Sequence, residues 1–148
     1  FWTSKIMNNP SIQFNFLESI SLTDRKRLKR FLVSLFKREK KPLAELRYVF
    51  CSDPYLLEIN RQFLQHDFYT DIITFELADR GQPIQGEIYI SVDRVRENAE
   101  TFASTINREL HRVIFHGALH LCGYNDKTEN EQKKMRKMEE WALVSYLK

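Results

Sequence analysis

Apolar and polar positions change period several times along this chain, and each change marks an element. Ile12, Phe14 and Phe16 alternate with Gln13 and Asn15, the two-residue period of a half-buried strand. Leu28, Phe31, Leu32 and Leu35 then share one helical face, with Ser21 and Asp24 as candidate caps and Pro42 as the stop. Residues 46–51 predict a second strand. Ser52-Asp53-Pro54 opens a helix that presents Leu56, Ile59, Asn60 and Phe63 on one side. Residues 71–75 read as a third strand, Gly81-Gln82-Pro83 as a turn, and residues 87–91 as a fourth strand. Helices are expected over 92–101 and 107–121. Thr128-x-x-Glu131 is a capping box for a last helix that buries Met135, Met138, Trp141 and Ala142. Strands fill the first two-thirds and helices dominate the end, so the expected class is α+β.

Composition narrows this little. The chain has 148 residues, 43% hydrophobic and 29% charged, which suits one globular domain spanning 1–148. No apolar run approaches the roughly 20 residues of a membrane span. Phe1-Trp2-Thr3-Ser4-Lys5 lacks the apolar stretch and small-residue cleavage site of a secretory signal. Met7 is a candidate start, with residues 1–6 a leader or cloning remnant. Cys51 and Cys122 make a poor disulfide framework, and a reduced, cytoplasmic setting is expected. The net charge of +3 is mostly local. Arg25-Lys26-Arg27-Leu28-Lys29-Arg30, Lys37-Arg38 and Lys40-Lys41 are basic, either a phosphate-contacting surface or, more simply, a solvated helix face.

The candidate chemistry lies in His116-Gly117-Ala118-Leu119-His120-Leu121-Cys122-Gly123-Tyr124-Asn125-Asp126. At about 100° per residue, His116 and His120 lie about 40° apart on the helix, at the edge of its apolar stripe. Gly123 can end the helix in a left-handed conformation. The chain then turns back and offers the Asp126 carboxylate as a third ligand. Two His and one carboxylate with an open position describe a catalytic metal site rather than a closed structural one. Zinc suits these donors, with manganese or nickel as further options. His111 points away, and Cys122 is better read as a packed side chain. A zinc protease of the H-E-x-x-H type has Glu directly after the first His, as its base. Gly117 holds that place here and argues against peptide hydrolysis.

These residues resemble the YbeY family of rRNA-maturation endoribonucleases, whose pattern is H-G-x-L-H-L-x-G-Y-D-H. His116, Gly117, Leu119, His120, Leu121, Gly123 and Tyr124 match it. So do Asn60, Thr70-Asp71-Ile72-Ile73-Thr74-Phe75 and Gly86-Glu87-Ile88-Tyr89-Ile90-Ser91 upstream, and Glu131, Met135 and Glu139 downstream. The resemblance runs over roughly residues 45–140. It implies a mixed, mostly four-stranded sheet packed with helices, the metal-binding helix lying in the C-terminal third. It also implies one zinc per chain, cleavage of single-stranded RNA, and a role in small-subunit ribosomal RNA maturation and ribosome quality control. The chain departs from the family where its third histidine is Asp126 and the preceding Asp is Asn125. A Tyr-Arg pair is replaced by Phe63-Leu64, which removes an arginine associated with RNA cleavage; Arg61 or His66 is the candidate replacement. Asp71 is a candidate base or partner of a ligand histidine. Phe68 and Tyr69 either stack unpaired bases or pack within their loop. Two other readings stay open: a metal hydrolase of another substrate class, and a metal-stabilised RNA-binding module of ribosome assembly without catalysis.

Overall fold

The computed structural model describes residues 9–148; the start at Met7 and the 1–6 leader lie outside the described residues. Four strands and five helices follow one another as β1 (Ser11–Phe16), α1 (Arg25–Arg38), β2 (Leu43–Cys51), α2 (Asp53–Phe63), β3 (Ile72–Glu76), β4 (Ile84–Ser91), α3 (Val92–Thr101), α4 (Ile106–Leu121) and α5 (Glu129–Leu147). The sheet order is β1-β2-β4-β3, with β1, β2 and β4 parallel and β3 antiparallel to β4. This is the expected α+β class with a mixed four-stranded sheet. No described helix is long and apolar enough to cross a membrane.

Burial explains the layers. The larger core lies between the sheet and α1, α4 and α5, around Leu28, Leu32, Tyr48, Phe50, Ile88, Phe115 and Leu143. A smaller one lies under α2, with Cys51, Leu56, Ile59 and Ile73. Helix α4 approaches the sheet closely because two glycines admit it. A Cβ on Gly117 would sit 2.9 Å from two methyl carbons of Ile88, and one on Gly86 would collide with Leu121. The buried Tyr48 hydroxyl donates to the Ile114 carbonyl at 2.8 Å, tying β2 to the same helix. The residue that removes the protease base is therefore also a packing requirement of this helix.

Several elements differ in detail from the pattern reading. Strand β2 begins at Leu43 rather than 46, and β4 at Ile84 rather than 87. The two extensions pair with each other across a register shift between Leu43 and Glu45, and Glu45 and Gly86 interrupt the apolar alternation there. Asp24 precedes α1 in a left-handed conformation (φ 52°) and makes no side-chain cap; its carbonyl accepts from Leu28 N–H at 2.9 Å. Phe63, in the last turn of α2, is 67% exposed; its ring meets Phe75 of β3 edge-on. The basic face of α1 is largely used within the fold. Arg25 lies over Phe16 at 4.5 Å, Arg27 over Tyr146 at 4.1 Å and Arg38 over Trp141 at 3.8 Å.

Candidate metal centre and cleft

Two end motifs aim the candidate ligands. Helix α4 stops with Tyr124 N–H donating to the Leu119 carbonyl and Gly123 N–H to the His120 carbonyl, both at 3.0 Å, and with Gly123 at φ +103°. This is a Schellman-type stop, which a residue with a Cβ adopts only under strain. Five residues later α5 starts with its capping box. Thr128 Oγ1 accepts from Glu131 N–H at 3.1 Å and Glu131 Oε1 accepts from Thr128 N–H at 2.9 Å. The connection between these two clamps is short, and Asp126 projects from it toward the end of α4.

Asp126 Oδ2 lies 3.3 Å from His116 Nε2 and 3.4 Å from His120 Nε2. One ligand atom from each of the three residues falls within 4.8 Å of the others. Donors 2.0–2.1 Å from a tetrahedral zinc stand about 3.3 Å apart, so this donor set fits such an ion in both chemistry and spacing. His120 is held below the ordinary imidazole pKa, first by burial and then by the neighbouring His116. Its neutral form, the one that ligates, is thereby favoured.

A carboxylate backs the first histidine. Glu139 Oε2 lies 2.5 Å from His116 Nδ1, and Glu139 is buried. An ionised carboxylate there places the imidazole proton on Nδ1 and leaves the Nε2 lone pair facing Asp126. Arg112 in turn holds Glu139 at 3.1 Å, Glu109 at 2.8 Å and Asp71 at 3.6 Å. Burial alone would lower the Arg112 pKa, but its bonds to Glu109 and Glu139 raise it above the ordinary guanidinium value. Pattern reading gave no role to Glu139 or Arg112. A signal was present: Glu139 sits four residues after Met135 and three before Ala142, a charge within the apolar stripe of α5.

His116, His120 and Asp126 open onto a cleft of about 790 Å³, walled on the far side by the loop after α2. His66, Phe68 and Asp71 line it. The His66 and Phe68 rings stack at 5.0 Å. Asn60 shapes this loop from its buried position: its carbonyl accepts from His66 N–H at 3.1 Å and its Nδ2 donates to the Phe68 carbonyl at 2.8 Å. Leu64 also lines the cleft, so the position that departs from the family pattern is a wall position without charge. Arg61 is not brought to the cleft; it is engaged by Asp67 at 2.6 Å and Glu58 at 3.7 Å. Tyr69 lies beside Arg94, 5.0 Å from its guanidinium. Lys127 is the one Lys or Arg among the described residues lining this cleft, a contribution that pattern reading missed. His111 is buried away from the cleft, its Nδ1 2.7 Å from the Asn107 carbonyl and its ring stacked on Tyr146. Cys122 is buried, and burial pushes its thiol up to about 12, consistent with packing rather than ligation.

Comparison with known proteins gives one family. The model of the family described as Endoribonuclease YbeY matches residues 13–146. An Endoribonuclease YbeY of Cytophaga hutchinsonii is 50% identical over 122 residues, covering 82% of this chain and 85% of the relative. One from Phocaeicola vulgatus is 55% identical over 104 residues, covering 70% and 75%. A protein of Thermotoga maritima whose structure was determined in solution superposes with a TM-score of 0.57. It is 29% identical and covers 92% of this chain and 91% of its own.

Proposed function

The chain belongs to the endoribonuclease YbeY family, and from that premise we propose a metal-dependent endoribonuclease acting on single-stranded RNA, with His116, His120 and Asp126 as its metal ligands. The observation that carries the proposal is the convergence of the three donors at zinc-like spacing on the floor of an open cleft. Zinc, one per chain, is the ion the two imidazoles and one carboxylate suit best. Bound there, it supplies Lewis acidity toward a phosphoryl oxygen and acidifies a water.

The surrounding side chains divide the remaining work. Glu139 fixes the tautomer of His116. Lys127 offers the phosphate backbone a positive charge at the cleft wall. His66 is the proton-transferring or phosphate-contacting group in place of the arginine absent at Leu64, a role for which Arg61 is badly placed by its bond to Asp67. Asp71 faces Arg112 and acts through it on Glu139 rather than as a free base. The match over residues 13–146 supports reading the chain as one domain. Ribosomal RNA of the small subunit is the proposed substrate and the cytoplasm the proposed location, the latter in keeping with two buried cysteines that form no disulfide.

The test is cleavage of an unstructured RNA by zinc-loaded protein, with His120→Ala purified in parallel. The expected outcome is cleavage by the wild type, abolished by chelation and by His120→Ala, with the circular dichroism spectrum of the variant retained. Equal cleavage by the two preparations, or hydrolysis of casein but not RNA, contradicts the proposal. Unfolding of His120→Ala, combined with RNA cleavage that chelation leaves unaltered, would favour a structural metal in a binding module.

A further inference from the structure

The metal centre has a second opening. Adjoining the cleft described above at His116 and Asp126 lies a separate cleft of about 570 Å³ between the end of α3, α4 and α5. Phe102, Arg112, Gln132 and Arg136 line it, and it shares His116 and Asp126 with the first cleft. The two hollows therefore meet at the candidate ligands.

The lining of the second cleft is not that of an idle surface. Phe102, at the C-terminal end of α3, is 70% exposed, the highest exposure of any large hydrophobic residue described. An aromatic face left in water beside a cleft suits a flat partner. Arg136 forms no ion pair among the described residues. Arg112, by contrast, is committed to Glu109, Glu139 and Asp71. Arg136 stands in the basic run Lys133-Lys134-Met135-Arg136-Lys137, while Gln132 one turn earlier adds an amide that can both donate and accept. One aromatic platform, one free guanidinium and one amide, next to a centre that attacks phosphodiesters, match the needs of a nucleotide without a base-pairing partner.

We infer that this second cleft binds the unpaired RNA strand on one side of the scissile phosphate, with Phe102 stacking a base and Arg136 holding a backbone phosphate. The strand thus passes across the metal centre from the cleft of His66 and Lys127 into that of Phe102 and Arg136. The inference rests on the endoribonuclease reading and adds a binding subsite to it. A duplex does not satisfy it, because bases inside a duplex have both faces covered by the neighbouring pairs and none free to stack on Phe102.

The experiment is fluorescence anisotropy of a labelled, unstructured 12-nucleotide RNA and of its duplex, titrated with metal-free wild type, Phe102→Ala, Phe102→Tyr, Arg136→Gln and Lys26→Gln over a range of salt. Cleavage of the same RNA by each zinc-loaded protein is followed in parallel. Phe102→Ala is expected to weaken single-strand binding by about 5- to 100-fold, the range for loss of one stacked base, with Phe102→Tyr restoring it. Arg136→Gln is expected to reduce the slope of log affinity against log salt by about 0.7, one phosphate contact on a single strand. Lys26→Gln, on the far basic face of α1, should change neither. If wild type cleaves the RNA while Phe102→Ala and Arg136→Gln bind it with wild-type affinity and slope, the subsite is wrong and the endoribonuclease reading stands. If Lys26→Gln changes the slope as much as Arg136→Gln, the attraction is diffuse and the subsite is likewise wrong. If metal-free wild type does not bind the RNA and zinc-loaded wild type does not cleave it, both readings fail together.

Discussion

Glu139 shows how much of the candidate centre depends on a residue that is not itself one of the three candidate ligands. Its carboxylate lies 2.5 Å from His116 Nδ1 and is itself held by Arg112. Removing its charge while keeping its shape should loosen the hold on the imidazole without emptying the core. Glu139→Gln is therefore expected to weaken zinc binding by about 10- to 100-fold, the usual cost of losing such a partner, and also to lower the unfolding midpoint of the metal-free protein, because it breaks the buried pair with Arg112. Competition with a chromogenic chelator measures this, and an unaltered affinity would remove Glu139 from the centre. Gly117 makes a different point at the same scale. It was legible from the sequence as the absence of a protease base. Its contact with Ile88 shows that α4 has no room for any side chain at that position without moving away from the sheet. Asp126 was legible from spacing as a candidate for the third position, since Gly123 and the Thr128 cap both carry clear local signals, and it does lie 3.3 and 3.4 Å from the two imidazoles.

At the scale of elements, the packing of α4 against α5 carries a pH dependence of its own. His111 faces Tyr146 of α5 in a stacked contact, with Phe115 beside it and the guanidinium of Arg27 from α1 also acting on it. Burial, the dominant influence, lowers its pKa from the ordinary 6.5, and Arg27 adds to this against the opposing bond to the Asn107 carbonyl. The unfolded chain therefore takes up a proton near pH 6.5 that the folded chain refuses until lower pH. The stability tied to neutral His111 is complete above about pH 6.5 and is lost as pH falls from there toward the folded value, by at most about 1.4 kcal/mol per pH unit. Urea denaturation of metal-free protein should show lower stability at pH 5.5 than at pH 7.5. His111→Gln should show a smaller difference, and an unchanged difference would assign the effect elsewhere. Helix and strand positions were mostly legible because their apolar periods are clean. The early parts of β2 and β4 were not, since their pairing with each other supplies what their local sequence lacks. The exposure of Phe63 was hidden because a helical period tells which residues share a face, not how deeply each one is covered.

For the whole molecule, the sheet and its helices bring together side chains far apart in the chain: the loop after α2, the end of α4, the connection to α5 and the middle of α5. The α4 candidate ligands and Asp126 are close in sequence and could be read there. Glu139 leaves only a charge in the apolar stripe of α5 as its signal, and its meeting with Arg112, like the place of Lys127, depends on how α5 and the α4–α5 connection pack; Arg61 lies close to the expected position in sequence but bonds to Asp67 instead. The same architecture leaves the centre open on two sides, as passage of a single strand requires. All of this depends on three residues holding one ion. The most direct measurement is the zinc content, by elemental analysis, of wild type and Asp126→Ala after dialysis against the same buffered free zinc. The account predicts one zinc per chain in the wild type and its loss in the variant. Equal zinc in both, or none in the wild type, would contradict it.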